Sequence, residues 1–111
     1  VYDAQMTKDV LKNLVMTIAE RRHAGVDSSY TRSLLDGGAE RCAKKFAEEA
    51  AETVIAAVSQ DDAALTAEAA DTLYHLLVLL EVRGLSLDAV LAELERRTVQ
   101  SGLEEKASRG S

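Results

Sequence analysis

KKFAEEAAETVIAA (residues 44–57) and AEAADTLYHLLVLL (residues 67–80) decide the fold of this chain. Alanine, leucine and glutamate, all strong helix formers, dominate both stretches, and neither contains proline or glycine. Each carries two carboxylates three residues apart, Glu49/Glu52 in the first and Glu68/Asp71 in the second. Residues at i and i+3 share a helix face, where like charges cost about 0.2–0.5 kcal/mol. Two such pairs on facing helices make sense around a shared cation. Ser59-Gln60-Asp61-Asp62 joins the two helices, with aspartates suited to the next N-terminus. In an antiparallel pair, Glu52 and Glu68 stand on either side of this connection, each about eight residues or ~12 Å from its middle. The acidic pairs are then level.

Outward from this hairpin, helical periodicity continues. Val10, Leu11, Leu14, Val15 and Ile18 form an apolar stripe in a helix over residues 6–23. Residues 24–29 read as a polar loop whose serines can cap the next helix. Residues 30–36 read as a short helix, broken by Gly37-Gly38. A long helix is expected over residues 39–58 and another over residues 62–82, stopped by Gly84. Ser86 caps a last helix over residues 87–97, and residues 1–6 and 101–111 are expected to be flexible. The fold class is all-α: a four-to-five-helix antiparallel bundle, one domain over residues 1–111 with its core at about 7–98.

Composition narrows the function. The chain of 111 residues is 47% hydrophobic and 4% aromatic, with no proline, which supports one helical core and not two. A net charge of −6 argues against nucleic-acid binding, because no basic surface is available to displace counterions. The longest uninterrupted apolar run, residues 76–80, is too short to span a bilayer, and no signal-peptide pattern opens the chain. The single cysteine, Cys42, excludes an internal disulfide and suits a reducing compartment, so the cytoplasm is expected. Residues 73–80 are apolar nearly all round, apart from Tyr74 and His75, and such a helix is buried on more than one side. A homodimer through the central helices is the expected solution, with a dimer of dimers left open.

On the first long helix Arg41, Lys45, Glu48, Glu49 and Glu52 share a polar sector, with Phe46, Ala50, Val54 and Ala57 opposite. On the second, Glu68, Asp71 and His75 share an edge. The residues alone leave two readings open: a divalent-metal site, or a solvated charged face. His75 is likewise open between a hydrogen-bonded structural role and contact with substrate or with a ligating carboxylate.

SYTRSLLDGGAERCAKKFAEEAAETVIAA followed by AEAADTLYHLLVLLEVRGLSLDAVLAEL resembles the phosphoribosyl-ATP pyrophosphohydrolase family, within the wider MazG-type all-α pyrophosphohydrolases. The wide E-E-x-x-E … E-x-x-D pattern is joined by Ser29-Tyr30-Thr31, Lys45-x-x-Glu48-Glu49, Ala70-Asp71 leading to Tyr74-His75, and Arg83-Gly84-Leu85-Ser86-Leu87, over residues 11–97. The resemblance implies a dimeric enzyme of histidine biosynthesis that uses Mg²⁺, with Mn²⁺ as a substitute. It would hydrolyse phosphoribosyl-ATP to phosphoribosyl-AMP and pyrophosphate. It implies Glu49, Glu52, Glu68 and Asp71 as metal ligands, and Glu48 or Glu52 as general base. Arg32, Arg41, Lys44, Lys45 and His75 are the expected substrate contacts. Phe46-Ala47 departs from the small aliphatic residue and glycine of many relatives, without removing a carboxylate. The rival readings are a housekeeping pyrophosphohydrolase of canonical or damaged nucleotides, and a non-enzymatic helical dimer whose acids are merely solvated.

Overall fold

A computed structural model describes residues 4–23 and 30–110 of the chain. Among these the backbone forms five helices and no strand: α1 Ala4–His23, α2 Tyr30–Asp36, α3 Gly38–Ser59, α4 Asp62–Val82 and α5 Leu87–Gly110. The expected all-α architecture is present. The segment 24–29, with its capping serines, lies outside the described residues.

Local chemistry sets the borders. Gly38 adopts φ 79°, a left-handed conformation that costs glycine nothing, and a Cβ on Gly37 would run into the Arg41 side chain. Both glycines are therefore needed where α2 turns into α3. Asp61 caps α4 by accepting the Ala64 N–H at 2.8 Å, and Ser86 caps α5 by accepting the Ala89 N–H at 3.1 Å. Gly84, at φ 68°, lets the Leu85 N–H return to the Leu80 carbonyl at 2.9 Å, which closes α4.

α5 runs further than residue 97, the expected end of the last helix, and continues to Gly110. Gly102 lowers helix stability by about 1 kcal/mol relative to alanine but supplies no stop signal. Gln100 donates across that turn to Glu104 at 3.2 Å. Upstream, Glu93 binds Arg96 at 2.6 Å and Arg97 at 3.2 Å, pairs that support an exposed helix modestly.

α3 and α4 pack along each other as an antiparallel hairpin, and α2 lies against α1, α3 and α4. The core is small: Ile18 from α1, Leu34 and Leu35 from α2, Cys42 from α3, and Leu77 and Val78 from α4, with Leu11, Leu14, Val15 and Leu87 packed against it. Burying each large side chain there contributes about 1.5–3 kcal/mol. Arg22 on α1 ties down the end of α4, donating to the Glu81 carbonyl at 2.9 Å. Cys42 donates its thiol to the Leu34 carbonyl at 3.1 Å, and burial raises its pKa.

The orientation of α3 departs from an ordinary amphipathic helix. Glu49 is only 8% exposed, whereas Val54 and Val58, on the side opposite the acids, are 63% and 79% exposed. The carboxylate-bearing face turns toward α4, and the C-terminal part of the apolar side, at Val54, Ala57 and Val58, is left exposed among the described residues. The radius of gyration, 17.3 Å, exceeds the value of about 13 Å for a compact domain of this length. Among the described helices only α4 is long and apolar enough to cross a membrane by length and composition alone. Its polar positions, Glu68, Asp71 and Thr72, meet groups on α3.

Candidate active site

The hairpin places acid against acid. Glu49 from α3 and Glu68 and Asp71 from α4 bring carboxylate oxygens within 4.8 Å of one another. Two threonines bridge the helices at this level. The Thr53 hydroxyl reaches across to the Glu68 carbonyl at 3.0 Å, and the Thr72 hydroxyl reaches back to the Glu49 carbonyl at 3.0 Å. The two hydroxyls meet at 2.6 Å. The acidic pairs are thus level, as the antiparallel geometry requires.

This cluster is electrostatically incomplete. Glu68 Oε2 is buried and has no hydrogen-bond partner among the described residues, a costly state for a carboxylate oxygen. Glu52 lies outside the set of mutually close oxygens but senses it. The negative charges of Glu49 and then Glu68 raise its pKa, helped by some desolvation and by hydrogen bonds to both that only a protonated carboxyl can make. An all-oxygen donor set with an orphaned buried oxygen suits a hard divalent cation. Glu49, Glu68 and Asp71 could hold one, with Glu52 beside it.

Positive charge sits at the rim. Lys45 Nζ lies 3.4 Å from Glu49 and 3.7 Å from Glu48, and its hydrogen bond to Glu49 is the main cause of its raised pKa. Glu48 is thereby drawn to the exposed side of α3, and it is not among the converging oxygens. Arg41 and Lys44 are exposed on the same helix. Arg32 belongs to the first turn of α2 and pairs with Asp36 at 3.0 Å.

His75 is 6% exposed, and both of its ring nitrogens are engaged. Nδ1 lies 2.8 Å from the Asp71 carbonyl, which can only accept, so Nδ1 carries a proton. Nε2 lies 3.2 Å from the Tyr30 hydroxyl. A neutral imidazole accepts there, and Tyr30 donates. Tyr74 packs edge-on against His75 with centroids 4.9 Å apart, and its hydroxyl meets that of Thr31. This arrangement places His75 as the joint between α2 and the Asp71 turn, with no ring nitrogen left free for substrate.

Similarity to known proteins agrees with this geometry. A family model described as phosphoribosyl-ATP pyrophosphohydrolase matches residues 11–98. This chain belongs to the phosphoribosyl-ATP pyrophosphohydrolase family. It is 61% identical over 104 residues to phosphoribosyl-ATP pyrophosphatase 1 of Bradyrhizobium diazoefficiens, covering 94% of this chain and 98% of that protein. It is 59% identical over 100 residues to phosphoribosyl-ATP pyrophosphatase of Dinoroseobacter shibae, covering 90% and 98%. The corresponding enzyme of Azorhizobium caulinodans is 58% identical over 99 residues, covering 89% and 91%.

Two residues of this family member escape a reading by charge and motif: Thr53 and Thr72. Both threonines pass as ordinary β-branched helix residues. The available signal is their position, each four residues after an acid (Glu49 and Glu68) and so on the same face.

Proposed function

We propose that this protein hydrolyses phosphoribosyl-ATP to phosphoribosyl-AMP and pyrophosphate in histidine biosynthesis, by attack of water at the α–β phosphoanhydride. The substrate is supported by close similarity, over nearly the whole chain, to relatives named phosphoribosyl-ATP pyrophosphatase. The observation that carries the chemistry is the convergence of Glu49, Glu68 and Asp71 around the unpartnered Glu68 Oε2.

In this reading Glu49, Glu68 and Asp71 hold Mg²⁺, and Mn²⁺ substitutes for it. The chemistry a bound Mg²⁺ supplies is neutralisation of phosphate charge and of the charge growing on the departing pyrophosphate. Glu52, exposed beside the cluster and with its pKa raised by the charges of Glu49 and Glu68, takes the proton of the attacking water. Lys45, already poised over Glu49, faces the phosphates, and Arg41 and Lys44 extend the basic rim. A chain of net charge −6 needs these local cations to receive a polyanionic nucleotide. Tyr30 and His75 keep the Asp71 turn fixed.

The working form in this proposal is a homodimer in the cytoplasm. The exposed Val54, Ile55 and Val58 of α3 and Leu91 and Leu94 of α5 leave more apolar surface than a lone small chain carries comfortably. Sedimentation at micromolar protein should give a species of twice the chain mass; a single-chain species would remove the dimer from the proposal.

Phosphorus NMR of the purified protein with phosphoribosyl-ATP and Mg²⁺ tests the activity. Equimolar phosphoribosyl-AMP and pyrophosphate, abolished by EDTA, are expected. Turnover of deoxynucleoside triphosphates with none of phosphoribosyl-ATP would overturn the substrate assignment.

A further inference from the structure

The contacts between α3 and α4 at the level of the carboxylates are hydroxyls, not hydrocarbon. Thr53 Oγ1 lies 3.0 Å from the carbonyls of both Glu49 and Glu68, and Thr72 Oγ1 lies 3.0 Å from that of Glu49. The hydroxyls themselves are 2.6 Å apart, so a proton must lie between them. Each hydroxyl has a single hydrogen. The pair therefore forms a directed relay: Thr72 donates to Thr53, which donates to a carbonyl, or Thr53 donates to Thr72, which donates to the Glu49 carbonyl. The second direction ends on the backbone of an acidic residue of the opposite helix. The first can do so too, at the Glu68 carbonyl. Without such a bridge, Glu49, Glu52, Glu68 and Asp71 repel across the same gap.

We infer that the Thr53–Thr72 hydroxyl pair is a positioning device, which sets the spacing of α3 and α4 so that Glu49, Glu68 and Asp71 converge at ligand distance on one divalent cation. This rests on the metal-assisted reading above. Oxygen ligands tolerate errors of only about 0.2 Å. A hydroxyl pair at 2.6 Å lets two backbones approach more closely than two methyl groups would, since apolar carbons settle at about 3.5–4.0 Å. Valine in both positions keeps β-branching and removes both hydroxyls together, while the Glu49 and Glu68 carbonyls remain acceptors in their own helices, so the cost in stability is small. It nonetheless pushes the helices apart.

The test is calorimetric titration of Mn²⁺ into the metal-free wild type, the Thr53→Val/Thr72→Val double variant and the Thr53→Ser/Thr72→Ser double variant, each checked for melting temperature. The valine pair should bind Mn²⁺ at least about tenfold more weakly, the range seen when groups that orient metal ligands are removed, while the serine pair recovers most of the affinity. The metal-free melting temperature of the valine pair should stay near wild type, while the upward shift on adding Mn²⁺ shrinks. Wild-type affinity in a folded valine pair would overturn the inference, and so would a serine pair as weak as the valine pair. Should the valine pair melt below the titration temperature, Thr72→Val against Thr72→Ser makes the same comparison. A wild type that binds no Mn²⁺ would instead overturn the metal-assisted reading itself, and this inference with it.

Discussion

The two halves of α4 are built from different chemistry. Residues 62–72 carry Asp62, Glu68, Asp71 and Thr72, and face α3 through carboxylates and a hydroxyl. Residues 73–82 carry the buried His75, Leu77 and Val78 and plug into α1 and α2. The first half stores electrostatic conflict, and the second supplies the apolar burial that offsets it. A helix that crowds negative charge at one end must be anchored at the other, and the tyrosine–histidine joint stands where the two meet.

Breaking the first half should have the largest effect, and on catalysis alone. Asp71→Asn in that half, and Glu52→Gln on the α3 face opposite it, should each lower pyrophosphate release at least about a thousandfold, or ~4 kcal/mol of transition-state stabilisation, with circular dichroism and melting unchanged or improved. Turnover within tenfold of wild type in either variant would remove that residue from the chemistry. Breaking the second half should do the converse. Leu77→Ala should cost about 2–4 kcal/mol in urea unfolding, while the fraction that remains folded binds Mn²⁺ as wild type does. Equal loss of metal affinity and stability would mean that the halves are not separable.

The junction is sharpened by Tyr30→Phe, which removes one hydrogen bond to His75 and should cost about 1 kcal/mol. A change below the error of the melt would show that the imidazole is held by Asp71 and ring packing alone. The smallest effect is on pH. The folded pKa of Glu52 is raised by Glu49 and Glu68 above its ordinary 4.5, so its ionisation works against folding. The stability tied to it is full below the ordinary carboxylate value and is lost as pH rises through the raised one. In metal-free protein, Glu52→Gln should flatten the pH dependence of melting in that acidic window, and saturating Mg²⁺ should do the same. An identical slope in wild type and variant would contradict the coupling.

Much of this is readable from residues. Asp61, Gly84 and Ser86 carry their capping chemistry in their identity, so the borders of α4 and the start of α5 come directly from the chain. The four acids stand out because spacing puts them on facing edges. The direction in which α3 turns is not readable from apolar spacing. Val54 and Val58 look like core, and only the need to bring Glu49 against Glu68 turns them outward. The hydroxyl relay is hidden because Thr53 and Thr72 differ from valine by one atom each. The extension of α5 past residue 97 is masked because the residues that follow are mostly polar and carry no apolar stripe, so local hydrogen bonding and helix formers hold the turns instead.

Cys42 gives the protein an internal reporter. Its thiol is shut between α2 and α3, and burial keeps it protonated at neutral pH, so iodoacetamide has almost no thiolate to attack while the fold is closed. Alkylation should therefore proceed only through states in which those helices have parted. A mass shift on this single sulfur would report how often that opening occurs, without added dye or reductant.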